Sequence, residues 1–299
     1  MKDIVLYCKS YRNDFLRLKR LLASVNQYNL DQIPFYISTP RADHDLLISI
    51  LGNEAYIWVA DEDIVTANPR ADFKKYGELP GGISQQIIKS EFWRLKISSN
   101  YLCLDSDCIF IKNFFKDDFL TTDSIPYTVL HQNKEFFQMA TNRGRLRVEH
   151  DLREEAKRVQ SLFSRVGPLF YCAPAPFIWS AKVWESLDRE YLVPRNISIW
   201  EFISHQHPET LIYGEALLKY KAIPLIAIEP LFRTYHYDWQ YYLMRRLGET
   251  ELKLKQNYLG VIYQSSWDGS VESSHVKKTL FSKMLRRFKR MINYLQSFI

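Results

Sequence analysis

Alternating strand-like and helix-like segments at the beginning of the chain restrict the fold more than any other feature. Apolar runs predict buried strands at 4–8, 35–38 and 55–59. Between these runs, residues 15–28 and 46–51 carry apolar side chains at helical spacing. Strands that alternate with helices indicate an α/β fold with a mostly parallel sheet flanked by helices. In such sheets, ligands bind beyond the carboxyl ends of the strands.

The same patterns predict further elements along the chain. A helix is expected over 83–98, a fourth strand over 101–104 and an apolar run over 108–111. Charges of both signs over 143–165 predict a solvated helix. Later elements are expected as a strand at 177–179, helices at 181–187 and 208–220, and a late strand at 225–228.

The composition of the 299 residues describes a chain with a sizeable core, because 46% of them are apolar. The net charge of +6 is concentrated at the end of the chain. Seven basic residues and no acidic one follow Ser273, which leaves 33 of the 40 Lys and Arg against all 34 Asp and Glu. A nearly neutral body argues against a nucleic-acid-binding domain, which would present a basic face.

The four cysteines, Cys8, Cys103, Cys108 and Cys172, form no Cys-x-x-Cys pair. Two of them lie in apolar runs that resemble buried strands. Reduced thiols in a cytosolic protein are therefore expected rather than disulfides or a zinc site.

Two carboxylates follow the fourth predicted strand at Asp105 and Asp107, separated by Ser106. Like charges this close repel one another and raise each other's pKa unless a cation lies between them. Divalent cations such as Mg²⁺ or Mn²⁺ prefer oxygen ligands and commonly use one or two carboxylates together with substrate phosphates. Because apolar runs flank the pair on both sides, a metal site is favoured over a solvated turn.

The segment Tyr-Leu-Cys-Leu-Asp-Ser-Asp-Cys-Ile-Phe at 101–110 resembles the "YLDxD" segment of GT-A glycosyltransferases. The segments Gly-Ile-Ser-Gln-Gln-Ile-Ile-Lys at 82–89 and Lys-Ser-Tyr at 9–11 are similar to uncharacterised bacterial GT-A-like proteins. The resemblance covers residues 1–230. It implies a Rossmann-like GT-A fold and a metal-dependent transferase that uses a nucleotide-sugar donor, with a UDP-sugar expected first.

The resemblance also implies roles for individual residues. Asp107 would bind the metal, and Asp105 would contact the metal or the donor ribose. The nucleotide would be held at the sheet edge by Lys9, Ser10, Arg12 and Asp61 or Glu62. Two cations on the helix before the motif are candidates for contacting the diphosphate or donor sugar, namely Lys89 and Arg94.

A third metal ligand and a catalytic base are harder to assign. GT-A enzymes often use a late histidine, and the candidates here are His236 and His275. Neither lies in the His-x-x-Gly-x-x-Lys-Pro-Trp form of galactosyltransferase-like families. For deprotonation of an acceptor hydroxyl, Glu215 is the first candidate base and Asp238 the second. A retaining enzyme would not need such a base.

The end of the chain predicts a basic amphipathic helix over 273–299, following a glycosyltransferase domain over 1–272. Its apolar residues recur at helical spacing at Val276, Leu280, Met284, Phe288, Met291, Leu295 and Phe298. Helices of this type bind anionic membrane surfaces, whereas packing on the domain or on a partner subunit is the alternative. The opening Met-Lys-Asp-Ile-Val-Leu enters a strand without a signal-peptide core, and no spanning helix is expected. We therefore expect a cytoplasmic protein, peripheral on the inner face of the cytoplasmic membrane, with a glycan or lipid-linked acceptor of bacterial surface polysaccharide synthesis.

Two other functions remain open at this point. A sugar-phosphate nucleotidyltransferase would place a glycine-rich phosphate loop after the first strand, where this chain has Lys9-Ser10-Tyr11-Arg12. A non-catalytic GT-A-like scaffold at the membrane surface would not require the intact pair of aspartates.

Overall fold

The computed structural model describes residues 1–171 and 176–265, together with the helical positions 284, 285, 288, 291, 292 and 295. The strands in these residues follow the buried apolar runs. They are β1 Lys2–Lys9, β2 Phe35–Thr39, β3 Ile57–Ala60, β4 Ser98–Leu104, β5 Cys108–Phe110, β6 Thr128–Val129, β7 Phe177–Ser180, β8 Ala227–Ile228, β9 Phe232–Tyr235 and β10 Gly260–Tyr263.

The α-helices connect these strands and cover the faces of the sheet. They are α1 Phe15–Tyr28, α2 His44–Leu51, α3 Asp61–Thr66, α4 Phe73–Glu78, α5 Gly81–Glu91, α6 Lys134–Asn142, α7 Leu146–Leu162, α8 Ala181–Leu187, α9 Ile199–Phe202, α10 Glu209–Tyr220, α11 Asp238–Arg246 and α12 Glu251–Asn257.

The main sheet has five strands in the order β3-β2-β1-β4-β7. The first four are parallel, and β7 pairs with β4 in the antiparallel direction. Residues 4–8 of β1 and 101–104 of β4 are almost completely buried, as expected for central strands with helices on both faces. The predicted α/β fold with a mostly parallel sheet flanked by helices is therefore confirmed.

A second sheet joins distant parts of the chain in the order β5-β10-β9. Strand β10 is antiparallel to β5 and parallel to β9. Gly260 lies where β10 passes over Phe232, and a side chain at position 260 would overlap the Phe232 ring and the Ile109 carbonyl. The lack of space between the β10 backbone, the Phe232 ring and the Ile109 carbonyl thus explains why this strand has glycine at position 260.

Two predicted elements differ from the structure. The helix expected over 83–98 ends at Glu91 and continues only as a short 3₁₀ turn. Lys96 then adopts a left-handed conformation with φ 54°, which ends the turn before β4 begins. The strand expected at 225–228 is reduced to Ala227–Ile228, which pairs with β6 in a separate two-stranded sheet.

The cysteines and the few described positions near the end of the chain complete the description of the fold. Cys8, Cys103 and Cys108 are free and buried, in agreement with the expectation, and Cys172 lies outside the described residues. The proposed boundary at 272/273 also lies outside them. The apolar side chains at the described tail positions are exposed, from 38% for Ile292 to 67% for Met284. No helix within the described ranges is long and apolar enough to cross a membrane.

Candidate active site

Asp105 and Asp107 lie in the turn that links the main sheet to the second sheet. Strand β4 ends at Leu104, which lies beside Cys8 near the carboxyl end of β1. The N–H of Cys108 donates to the Asp105 carbonyl at 3.0 Å and closes the turn. The two carboxylates are therefore fixed at the edge where an α/β sheet binds its ligands.

Helix α5 supplies a buried cation to the first of these carboxylates. The Lys89 side chain is only 6% exposed and forms an ion pair with Asp105. Gln85, one helical turn earlier, donates its amide to the same carboxylate at 3.3 Å. Burial alone would lower the pKa of Lys89, but the attraction of Asp105 raises it above its usual range. Lys89 thus lies as a charged residue beside Asp105, and its contact with a diphosphate or donor sugar stays a prediction.

The second carboxylate, Asp107, lines a small cavity together with Arg17 and Arg20. Burial and the repulsion of Asp105 raise the pKa of Asp107 to about 7. Opposing this shift, the N–H of Ser265 donates to Oδ2 of Asp107 at 2.8 Å, and Lys89 acts at longer range. An additional cation would relieve the repulsion between the two aspartates.

Glu209, at the first turn of α10, is a third acid of the site that the sequence analysis missed. Its N–H donates to Oε1 of Gln86 on α5 at 3.3 Å. Burial raises its pKa to about 7; attraction by Lys89 lowers it and repulsion by Asp105 raises it. The only local signal was a glutamate directly after Pro208, and this is also common at ordinary helix starts.

The two predicted bases are engaged elsewhere. The carboxylate of Glu215 accepts two hydrogen bonds from the Arg165 guanidinium, at 2.5 and 2.8 Å, and the two side chains are 6% and 12% exposed. The carboxylate of Asp238 accepts the N–H of Trp239 at 2.8 Å at the start of α11. Glu209, rather than either of them, is the acid whose charge interacts with Lys89 and Asp105.

Arg94 belongs to an ionic network on the other side of α5. Its guanidinium pairs with Glu91 at 2.8 Å and with Asp188 at 3.2 Å. Asp188 also pairs with Arg70. With two guanidinium groups and two carboxylates, the network is balanced in charge. The predicted diphosphate contact of Arg94 therefore has no support in these contacts.

The residues expected at the nucleotide edge fall into two groups, and the first of these is buried. Lys9 Nζ lies 2.8 Å from Asp61, with exposures of 6% and 0%. It also donates to the carbonyl of Ser10 at 2.6 Å. The Ser10 hydroxyl is buried and has no hydrogen-bond partner among the described residues. Lys9, Ser10 and Asp61 thus form a buried polar group at the carboxyl edge of the main sheet.

The second group lies at the surface. Arg12 is exposed and pairs with Asp43. Both carboxylate oxygens of Glu62 accept the backbone N–H of Arg41, at 3.0 and 3.2 Å. Tyr11, which the sequence analysis did not single out, is 42% exposed between the two groups.

His236 lies in a different cavity from the two aspartates. Its ring is 4.7 Å from that of Phe136, and burial, His131 and Arg233 lower its pKa to about 4. Within the described ranges, no group of three or more His, Cys, Asp or Glu side chains is arranged to hold a metal ion. The other candidate ligand, His275, lies outside the described residues.

Comparison with solved structures supports a GT-A fold. The bifunctional glycosyltransferase WbbM matches with a TM-score of 0.51 and 10% identity, over 96% of this chain and 51% of that one. The galactosyltransferase LgtC, solved with donor and acceptor sugar analogues, gives 0.49 and 12%, over 96% and 95%. The likeness to WbbM, in agreement with the GT-A fold expected from the sequence, concerns the fold alone at this identity.

The chain belongs to DUF6492, a family of unknown function, whose pattern matches residues 3–275. A comparison with curated proteins gives no match.

Proposed function

We propose that this protein is a metal-dependent glycosyltransferase that moves a sugar from a nucleotide-sugar donor to a glycan or lipid-linked acceptor. The observation that carries the proposal is the cluster of Asp105, Asp107 and Glu209 around the buried Lys89. It lies at the carboxyl edge of a mostly parallel sheet.

The cluster fits a divalent cation by its chemistry. Asp105 and Asp107 offer carboxylate oxygens, the ligands that Mg²⁺ and Mn²⁺ prefer. The raised pKa of Asp107 reflects first its burial and then the repulsion of Asp105, which a bound cation would offset. A cation held here by two carboxylates, with diphosphate oxygens and water completing its shell, would neutralise charge on the departing diphosphate.

In the proposed reaction, an acceptor hydroxyl oxygen forms a bond to the anomeric carbon of the donor sugar. The bond from that carbon to the diphosphate breaks, and the nucleoside diphosphate leaves with the electron pair. Lys89 holds Asp105 in place next to the leaving group. Glu209 is the carboxylate that we assign to accept the hydroxyl proton, because it is buried beside the Lys89–Asp105 pair.

The nucleotide would lie along the ends of β1 and β3. Exposed Tyr11 offers a flat ring for stacking on the base, and Arg12 and Glu62 offer polar contacts at the rim. The buried Lys9–Asp61 pair would support this surface from below. A UDP-sugar is the donor that we would test first.

A location on the inner face of the cytoplasmic membrane is part of the proposal. The tail combines seven cations with no acid after Ser273. At its described positions, the helical apolar residues are exposed, including Met284, Phe288 and Met291. An amphipathic helix with these properties would attach the enzyme to anionic lipids and bring it to lipid-linked acceptors of surface polysaccharide synthesis.

The experiment compares two glutamates of the same helix. Donor binding is followed by thermal shift with UDP-, GDP-, CMP- and dTDP-sugars and Mn²⁺, and turnover by release of the nucleoside diphosphate. Glu209→Gln should retain donor binding but lower turnover about 10²-fold or more, the usual contribution of a general base. Glu215→Gln, which only breaks the Arg165 pair, should lower the melting temperature and change turnover little.

Other outcomes would favour the alternatives. If no donor stabilises the wild-type protein, the non-catalytic scaffold becomes the better explanation. Formation of a nucleotide-sugar and pyrophosphate from a sugar phosphate and a nucleoside triphosphate would identify a nucleotidyltransferase. Equal losses of turnover in the two glutamate variants would remove the role assigned to Glu209.

A further inference from the structure

A second polar cavity, of about 110 Å³, lies between the start of α6 and the end of β9. It has room for several water molecules or a small polar ligand. His131 precedes α6, Glu135 and Phe136 belong to its first turns, and Glu229 and His236 flank β9. None of these residues contributes to the cluster around Lys89.

The charge of this cavity is negative. Arg233 is 7% exposed, and its guanidinium is already paired with Glu249 at 3.2 Å and Glu135 at 3.3 Å. Glu229, on the opposite rim, forms no ion pair with any described residue. The pairing of Arg233 therefore leaves excess carboxylate charge at the rim, which disfavours phosphates, carboxylates and acidic sugars.

The two histidines contribute polar groups without charge. Burial lowers the pKa of His131, and burial together with His131 and Arg233 lowers that of His236 to about 4. The backbone N–H of His236 donates to Gln240 at 2.9 Å, but its ring forms no hydrogen bond to the described part of the chain. At neutral pH, the His236 ring thus offers one donor and one acceptor nitrogen, whereas one nitrogen of His131 already has a hydrogen bond to Asn133.

An aromatic surface accompanies these polar groups. The Phe136 ring lies 4.7 Å from His236 and is stacked with Tyr237 at 6.2 Å and Trp239 at 6.4 Å. A sugar ring has apolar C–H faces and a rim of hydroxyl groups. The aromatic residues that line the cavity are Phe136, Phe232 and Tyr258, and together with the carboxylates and neutral imidazoles around them they match both parts of such a ligand.

The position of the cavity relates it to the first site. The Tyr263 N–H donates to the Asp107 carbonyl at 3.4 Å, and Tyr263 lies beside Tyr235, which precedes His236. Asp107 directly precedes β5 and His236 directly follows β9, so the two residues lie at the same end of the second sheet with β10 between them. Two strand spacings correspond to roughly 10 Å. A sugar ring in the cavity would reach towards a donor sugar at Asp107.

We infer that this cavity is the acceptor subsite and that it binds an uncharged or amino sugar ring in preference to an acidic one. The inference rests on the proposed glycosyl transfer for its role, and on the cavity alone for its ligand class. Its binding step requires neither donor nor metal, so it is tested separately from the reaction.

Saturation-transfer NMR with the full chain, without donor or metal, provides the test. The probes are methyl β-D-galactopyranoside, methyl β-D-glucopyranoside, glucosamine, glucuronic acid and N-acetylneuraminic acid. At least one neutral or amino sugar should bind the wild-type protein, and neither acidic sugar should. His236→Asn should weaken that binding about tenfold by removing a hydrogen-bonding ring. Glu229→Gln should reduce the difference in affinity between the neutral and the acidic sugars, because it removes a carboxylate that repels the acidic ones.

Two controls separate this inference from the proposed function. Asp107→Asn should leave sugar binding unchanged even where it abolishes donor binding. Glu154→Gln, on the exposed face of α7, should change neither sugar binding nor donor binding. The inference is overturned if no probe binds, if His236→Asn and Glu229→Gln both bind like the wild type, or if glucuronic acid binds as well as the neutral sugars.

Discussion

Lys89 and Glu91 lie two positions apart at the end of α5, yet they enter ionic groups of opposite character. Lys89 is the buried cation shared by Asp105, Asp107 and Glu209. Glu91 joins a network in which two guanidinium groups face two carboxylates. Both groups are largely buried, and they differ in whether the protein balances its own charges.

This difference distinguishes a cluster that can bind a ligand from an ion-pair network that only stabilises the fold. A balanced network has no electrostatic need for a ligand, because each buried charge already has a partner. An unbalanced cluster retains repulsion that a cation from solution would relieve, at a cost in stability to the protein without that cation. By this criterion Lys89 is part of the proposed site, and Arg94 is part of the balanced network beside it.

The largest effect is expected from breaking the balanced network. Glu91→Gln should reduce the free energy of unfolding by about 3–5 kcal/mol, because it leaves the buried Arg94 without a full counter-charge. Urea denaturation followed by circular dichroism measures this change. A loss below 1 kcal/mol, on the order of a surface pair, would show that the network does not depend on charge pairing.

The unbalanced cluster should gain stability from an added cation and should not lose stability when one of its carboxylates is removed. Mn²⁺ at a hundred times its Kd should stabilise the wild type by about 2.7 kcal/mol, and addition of EDTA should reverse this. Asp107→Asn should lose the response while remaining at least as stable as the wild type without metal, because the mutual repulsion is gone. Glu91→Gln serves as the control and should retain the full response. Equal Mn²⁺ stabilisation of wild type and Asp107→Asn would contradict a metal site at this position.

The smallest effect is expected where a balanced pair is exposed. Arg153 and Glu149 form an i,i+4 pair on α7, with exposures of 46% and 30%. Glu149→Gln should change the free energy of unfolding by about 0.5 kcal/mol or less. The same denaturation measurement applies. A loss as large as that of Glu91→Gln would mean that burial does not distinguish the two pairs.

Local patterns in the sequence were sufficient for the main sheet. Buried strands such as β1 and β4 consist of short apolar runs, and α1 has its apolar residues at helical spacing. Both patterns can be recognised in the sequence without tertiary information. The second sheet was not predicted, because β5 and β10 are short and lie far apart in the sequence. Their pairing depends on long-range contacts such as the passage of Gly260 over Phe232.

For the candidate site, the sequence predicted the residues that the structure brings together around Lys89 only in part. Asp105, Asp107 and Lys89 follow from their place at the end of a strand and on the preceding helix. The choice of Glu215 over Glu209 could not be corrected from the sequence, since both are acids on one helix. At 100° per residue, six positions place them about 120° apart around the helix axis. Only the packing of α10 against α5 decides which of these sides faces Lys89.

The hydrogen bond from Ser265 to Asp107 makes the end of the second sheet sensitive to occupancy of the first site. If Asp107 binds a cation as proposed, a change in that N–H contact should alter its affinity for the cation, and thermodynamic linkage requires the reverse effect to be equal in free energy. The basic tail that we propose to bind lipid follows Ser265 in the sequence. Under this proposal, vesicle binding and cation binding, measured on the same preparation, should change each other's affinity by the same factor.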